Sequence, residues 1–175
     1  MKIDSSKIKP YILTAGILAA DQITKAIIVA NWPIPDGRVI KDVFGNDLVT
    51  IIHVRNPGIA FSIGQNIPDV LRPILFVLFP LIVLGLLVWY SMRSNEFTKL
   101  QRWAIAGIVG GGLGNLIDRA FRPGGVVDFV SVKIFGLFGM DRWPTFNVAD
   151  SSVVVCGILL VISMFLPQKK LEEAK

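Results

Sequence analysis

Two aspartates stand in strongly apolar surroundings. Asp128 interrupts the run Gly124-Gly125-Val126-Val127-Asp128-Phe129-Val130, and Asp150 follows Phe146-Asn147-Val148-Ala149 at the mouth of a long hydrophobic stretch. A carboxylate at membrane depth is costly, so its default reading is functional. Two of them without a plausible metal site suit an acid/base pair acting on water, one carboxylate accepting the water's proton while the other supplies one. Asp150 also has a structural explanation. Asn147, three residues earlier, would cap a helix whose third residue is an acid, in a capping-box arrangement favoured by the helix dipole. For Asp128 the structural alternative is an ion pair with Arg119 or Arg122.

The other polar residues near apolar stretches form smaller groups. Asn115, Asp118 and Arg119 are spaced three and four apart, which puts them on one helix face. They would either end the helix, with Arg119 reaching toward headgroups, or form a hydrogen-bonding wall facing the carboxylates. Asp21 and Lys25 are spaced for an i, i+4 ion pair inside a bundle. Asn56, before Pro57-Gly58, is suited to a turn. Ser151 and Ser152 would need a lysine of lowered pKa to act as nucleophiles. Lys25 and Lys133 are the candidates, but no spacing links either to the serines.

The elements that must hold these groups follow from hydropathy. The chain has 175 residues, 53% of them hydrophobic, with mean hydropathy +0.61, which is too apolar for an ordinary soluble domain. Four long apolar stretches, at about 11–30, 73–90, 100–117 and 148–166, approach the roughly 20 residues a spanning helix needs. The second and fourth are the clearest; the first contains Asp21, Gln22 and Lys25, and the third, rich in glycine and ending in Asp118-Arg119, scores less well alone. Lys2, Lys7, Lys9, Arg93, Lys99, Arg102, Lys169, Lys170 and Lys175 crowd the termini and the short middle loop, while basic residues are sparse in the long loops 31–72 and 119–146. The positive-inside rule then places both termini in the cytoplasm and both long loops outside. The net charge of +5 reflects this topology, and no nucleic-acid partner is expected.

The reading is thus an α-helical membrane protein, one domain over 1–175, with four transmembrane helices. A small extracytoplasmic β-sheet is expected from 39–44, 48–55 and 58–64, with a second extracytoplasmic loop lying in the interface or over the bundle. Small residues four apart, Gly107/Gly111 and Gly110/Gly114, predict close helix packing. Ala19-Ala20 imitates a signal-peptide end, but the apolar run continues, so an uncleaved first helix is expected. One histidine and one cysteine supply no usual zinc ligand set and exclude a disulfide within the chain. No metal or cofactor is expected.

Five motifs occur in order: Asp21-Gln22 with Lys25; Asn56-Pro57-Gly58-Ile59-Ala60-Phe61-Ser62; Gly111-Gly112-Leu113-Gly114-Asn115-Leu116-Ile117-Asp118-Arg119; Val126-Val127-Asp128-Phe129; and Phe146-Asn147-Val148-Ala149-Asp150. Together they resemble the bacterial lipoprotein signal peptidase family, the type II signal peptidases. The resemblance implies an aspartic endopeptidase of the bacterial plasma membrane that removes signal peptides from diacylglyceryl-modified prolipoproteins, cutting before the lipidated cysteine. The family's catalytic pair falls on Asp128 and Asp150. Asn56, Gly58, Asn115, Arg119 and Asn147 are expected to bind substrate, with Asp21, Lys25 and Asp118 as a supporting polar network. The expected partners are prolipoprotein substrates and membrane lipid, the chain acting as a monomer with its site near the extracytoplasmic face. Residues 136–142 read as a small insertion. Rival readings are a small transporter or proton relay, which needs polar groups through the membrane depth, and a non-catalytic assembly factor, which would tolerate Asp→Asn changes.

Overall fold

The computed structural model describes residues 4–58, 68 and 70–166. Its elements run, in order, helix α1 (Ser5–Ile8), helix α2 (Tyr11–Asn31), strands β1 (Lys41–Asp42) and β2 (Val49–Asn56), a π-helical turn (Ile74–Leu78), helices α3 (Phe79–Arg93) and α4 (Lys99–Phe121), strand β3 (Val126–Val132) and helix α5 (Val148–Phe165). The π turn sits just before Pro80. Proline cannot donate to the carbonyl four residues back, and a wide turn accommodates that missing bond. Reciprocal capping boxes start the other two long C-terminal helices, Thr98 with Gln101 for α4 and Asn147 with Asp150 for α5.

Among the described residues, three helical stretches are long and apolar enough to cross a membrane: Ser5–Asn31, Ile74–Arg93 and Val148–Phe165. Helix α4, at 23 residues, has the length of the expected third span, but its glycines and polar side chains lower its hydropathy. It lies at the centre of the bundle, against α2, α3 and α5. Its glycines make that possible. A Cβ at Gly110 would meet the backbone of Thr14 on α2, one at Gly112 would meet Leu84 on α3, and one at Gly111 would overlap the carbonyl of Ala149 on α5. The close packing expected from the small residues is therefore present.

Among the described residues, the sheet has three antiparallel strands in the order β1-β2-β3. The first two strands match the expected runs, although β1 is only two residues long. The expected third strand at 58–64 lies almost wholly outside the described residues. The observed third strand comes from the second long loop instead, with Val54 opposite Asp128 and Asn56 opposite Val126. That loop is therefore not simply an interfacial segment. Its β-branched Val126-Val127…Val130 run pairs with β2, a long-range partner that spacing alone does not disclose. Strand alternation sets the faces. Val127 and Phe129 pack on Ile28 of α2, so Asp128 points the other way.

Candidate active site

Asn147 ties the two aspartates together. As N-cap of α5, its backbone N–H donates to Asp150 Oδ2 (3.1 Å), and its Oδ1 accepts from the Asp150 backbone N–H (2.9 Å). Its side-chain Nδ2 donates to Asp128 Oδ1 (2.8 Å). The capping role and the site role of this pair therefore coincide, because one end of the cap faces the neighbouring strand.

Two more asparagines complete the frame. Asn56, at the end of β2, donates to Asp128 Oδ2 (3.2 Å), while its own Oδ1 accepts from the Gly58 N–H (3.1 Å) in a local turn. Asn115, on α4, donates to Asp150 Oδ1 (2.7 Å). Asn115 Oδ1 accepts from both Lys25 Nζ (2.9 Å) and Asn147 Nδ2 (3.1 Å), which fixes the amide's orientation. Each aspartate thus faces amide donors on both oxygens. Among the described residues, Asp128 has no ion pair, so neither Arg119 nor Arg122 neutralises it. Only 3% of Asp128 is exposed. Burial foremost, then the charge of Asp150, pushes its carboxyl up to about 7, against the pull of the Asn56 and Asn147 hydrogen bonds.

Beneath this frame lies a buried ionic layer. Lys25 Nζ is 2.8 Å from Asp21 Oδ2 and 3.0 Å from Asp118 Oδ2, with all three side chains fully buried. The expected Asp21–Lys25 pair is present, and Asp118, grouped with these two by the resemblance, shares the same lysine. Each of these acids also grips backbone. Asp21 Oδ1 accepts from the N–H of Ala149 (3.0 Å), and Asp118 Oδ2 from the N–H of Val127 (3.1 Å). Those are the residues immediately before Asp150 and Asp128. One lysine therefore anchors two acids, and each acid holds the segment that presents one aspartate of the pair.

Two members of this layer, Arg122 and Gln22, were named in the sequence reading but not assigned to it. Arg122 pairs with Asp118 (2.9 Å), a contact signalled by their i, i+4 spacing. Gln22 bridges α2 and α4, its Nε2 lying 3.1 Å from Asp21 and 3.2 Å from Asp118. Arg119 reaches the Gly58 carbonyl (3.2 Å). It borders a cavity of about 710 Å³ together with Pro57, Arg72, Phe76 and Val77, which neither Asp128 nor Asp150 lines. The serines are otherwise engaged. Ser151 Oγ donates to the Asn147 carbonyl and Ser152 Oγ to that of Gly107, while Lys133 sits on Asp47. The single histidine, His53, is buried in β2 with Nδ1 on the Trp32 carbonyl oxygen (2.6 Å), away from the pair.

Comparison with known proteins decides the family. The family model described as signal peptidase (SPase) II matches residues 13–166. The chain belongs to the signal peptidase II family. It is 45% identical to the lipoprotein signal peptidase of Treponema pallidum (strain Nichols), over 97% of this chain and 89% of that protein. It is 46% identical to the Treponema denticola lipoprotein signal peptidase, over 94% of this chain and 95% of that protein. A bacterial membrane enzyme solved by the in meso method at 2.3 Å resolution superposes with a TM-score of 0.72 at 30% identity, covering 95% of this chain and 94% of that one. As a member of the signal peptidase II family, the protein is a peptidase, a hydrolase of peptide bonds, with apolar helices suited to a membrane.

Proposed function

We propose that this signal peptidase II family member is an aspartic endopeptidase. It removes signal peptides from diacylglyceryl-modified prolipoproteins in the bacterial plasma membrane, cutting immediately before the lipidated cysteine, with Asp128 and Asp150 as the catalytic pair. The observation that carries this reading is the bridging of the buried Asp128 and the half-buried Asp150 carboxylates by the one residue Asn147. Asp128, with its carboxyl raised to about 7, can hold a proton near neutrality while its partner is ionised. The ionised member draws a proton from water, and the resulting hydroxide adds to the scissile carbonyl. The protonated member gives its proton to the carbonyl oxygen, leaving a neutral gem-diol and an ionised carboxylate. The proton taken from water then passes to the leaving nitrogen, and a gem-diol hydroxyl returns its proton to the other carboxylate as the C–N bond breaks, which restores both starting charge states.

Asn56, Gly58, Asn115, Arg119 and Asn147 bind and orient the substrate peptide, and the layer of Asp21, Lys25 and Asp118 supports them. The Arg119–Gly58 contact favours a substrate role for both residues, because it connects α4 to the loop beside the pair. The whole described chain acts as one membrane-embedded domain and as a monomer. Its four spans include α4, and both termini lie in the cytoplasm. Two contacts support that topology. Lys7 Nζ donates to the Met92 carbonyl (3.1 Å), and Arg102 Nη1 to the Ser91 carbonyl (2.6 Å). The N-terminal segment thus shares one end of the bundle with the α3–α4 turn, leaving the sheet and the aspartates for the outer face. The proton-relay alternative gains no support from the π turn and α3, which together offer no ionisable side chain between Ile74 and Trp89.

The test is cleavage of a lipidated prolipoprotein by the purified protein in detergent, with and without a chelator. Cleavage immediately before the lipidated cysteine, unaffected by EDTA, is expected. Loss with EDTA and recovery with zinc would overturn the aspartic mechanism.

A further inference from the structure

The end of the sheet remote from Asn56 carries an apolar surface that the site does not use. Two turns from different loops meet there. The first, between β1 and β2, exposes Val43 (42%) and Phe44 (65%); the second, after β3, exposes Phe135 (74%), Leu137 (57%) and Phe138 (76%). Asp47 clasps them together, its two oxygens taking Lys133 Nζ (3.1 Å) and Arg142 Nη1 (3.0 Å). Arg142 also reaches Thr50 Oγ1 (2.7 Å) on β2 and Ser131 Oγ (2.8 Å) on β3. Each turn is further fixed from within. Asp42 accepts the N–H groups of Phe44, Gly45 and Asp47, and the Ile134 N–H bonds the Asp141 carbonyl across the second turn.

The second turn holds its aromatics outward at a cost. Phe135 and Phe138 both have left-handed backbone, with φ +53° and +56°, a conformation that disfavours side-chain-bearing residues. A water-facing turn would be better served by glycine or asparagine at both places. Phenylalanine there, rigidly presented beside lysine and arginine, matches the aromatic and basic composition of a membrane interface. The segment that leads from α2 into the first turn also carries exposed apolar side chains. Exposed Ile23 and Ile27 on that helix are followed along the chain by exposed Trp32, Ile34 and Val39, leading to Val43 and Phe44.

We propose that this clasped pair of turns is a membrane anchor: Phe44, Phe135, Leu137 and Phe138 seat in the interfacial layer of the outer leaflet. Three attachments then fix the sheet relative to the bilayer: its packing on α2, its packing on α4, and this lipid contact at its far end. The depth of Asp128, on the central part of β3, is set accordingly. The inference rests on the membrane-spanning reading of the helices and is independent of the aspartic mechanism.

Site-directed spin labelling of the full chain tests it, in vesicles of phosphatidylethanolamine and phosphatidylglycerol. Cys156→Ala removes the one native cysteine, and labels go in turn at Phe44→Cys and Phe138→Cys. Asn95→Cys, in the α3–α4 turn, serves as the aqueous reference, and Ile158→Cys, exposed on α5, as the lipid reference. At both turn positions, the ratio of accessibility to oxygen over accessibility to a water-soluble nickel chelate should exceed the Asn95 value several-fold and fall below the Ile158 value. Water-like ratios at both would overturn the anchor. So would an immobile label shielded from both reagents, which marks a protein contact or a second copy on this surface. Retained prolipoprotein cleavage identifies folded variants, and a turn position whose cysteine variant does not fold is replaced by Leu137→Cys with the same criterion.

Discussion

Asp128 and Asp150 carry the same group but are held differently. Asp150 begins a helix, while Asp128 interrupts a strand whose other face is packed on Ile28. Asp128→Asn and Asp150→Asn should each abolish prolipoprotein cleavage, by at least the 10²–10⁴-fold typical of general acid–base groups, while leaving protein folded in the membrane. Normal turnover in Asp128→Asn together with its loss in Ser151→Ala would replace the dyad by a serine mechanism. The pH dependence of stability separates the Asp128 carboxyl from its surroundings. The folded state holds the Asp128 proton up to about pH 7, whereas the unfolded chain releases it near the usual 3.8. The native state therefore binds more protons across that window, and this residue makes stability fall as pH rises from about 4 to 7. Thermal unfolding in detergent at pH 5 and pH 8 should show a smaller alkaline loss for Asp128→Asn than for the wild type. Equal losses would mean that burial does not disfavour the Asp128 charge. Lys25 acts one step further out, through Asn115. Lys25→Met should leave Asp21 and Asp118 facing each other without their shared cation, which costs about 3–5 kcal/mol when a buried pair is broken. It should also free the Asn115 amide to rotate. The expected outcome is a lower unfolding temperature together with a shifted pH profile of kcat; an unchanged profile in whatever protein folds would confine Lys25 to bracing.

At the scale of the element, α4 is the piece on which the site depends most, because its glycine-lined faces let the neighbouring helices approach. The obstacle each substitution meets decides its cost. A Cβ at Gly112 meets only the tip of the Leu84 side chain, which can swing aside. At Gly111 it meets the backbone carbonyl of Ala149, and at Gly114 the Asp21 carboxylate at 2.6 Å. Gly111→Ala should therefore separate α4 from the first turn of α5, and Gly114→Ala should push Asp21 off the Ala149 N–H. Overpacking of this kind costs about 1–3 kcal/mol. Unfolding temperatures in detergent should fall for Gly111→Ala and Gly114→Ala and barely change for Gly112→Ala, with cleavage following the same order. A Gly112→Ala defect as large as that of Gly111→Ala would contradict this account of the packing. Asn147 shows how an element end and a site can be one object. Asn147→Ala removes a helix cap, worth about 1 kcal/mol, and also the amide between the two carboxylates. Its loss of activity should exceed what its loss of stability explains, as read from cleavage rates of protein verified as folded.

For the molecule as a whole, the polar layer lies toward the sheet, and the opposite end of the bundle is tied by Lys7 and Arg102 to the α3–α4 turn. With that turn in the cytoplasm, a cysteine at residue 96 should be shielded from an impermeant thiol reagent in intact cells, and one at residue 47, in the clasped turn, should label. Labelling at 96 but not at 47 would invert the topology and put the aspartates on the wrong face for water arriving from outside.

Local rules were enough to read the helices, the capping box of α5, the Asp21–Lys25 pair and the first two strands. Each depends on residues a few positions apart, where spacing fixes geometry: a period near 3.6, an acid three residues after an N-cap, opposite charges four apart. The five motifs were legible for the same reason, and they gave the family and pointed to Asp128 and Asp150. The third strand, the path of Asp118 and the joining of the two turns were not legible. The resemblance puts Asp118 in a network with Asp21 and Lys25, whereas its spacing to Asn115 and Arg119 equally allowed a wall facing the dyad; Lys25, more than ninety positions away in sequence, claims it, and Arg122, a candidate partner for Asp128, pairs with Asp118. Likewise β3, starting at Val126, completes a sheet begun at Lys41. Such pairings are chosen by which buried charges and strand edges the close packing around α4 brings within reach. That choice is a property of the assembled bundle, where an unpaired charge or backbone group is expensive, and no stretch of the sequence contains it alone.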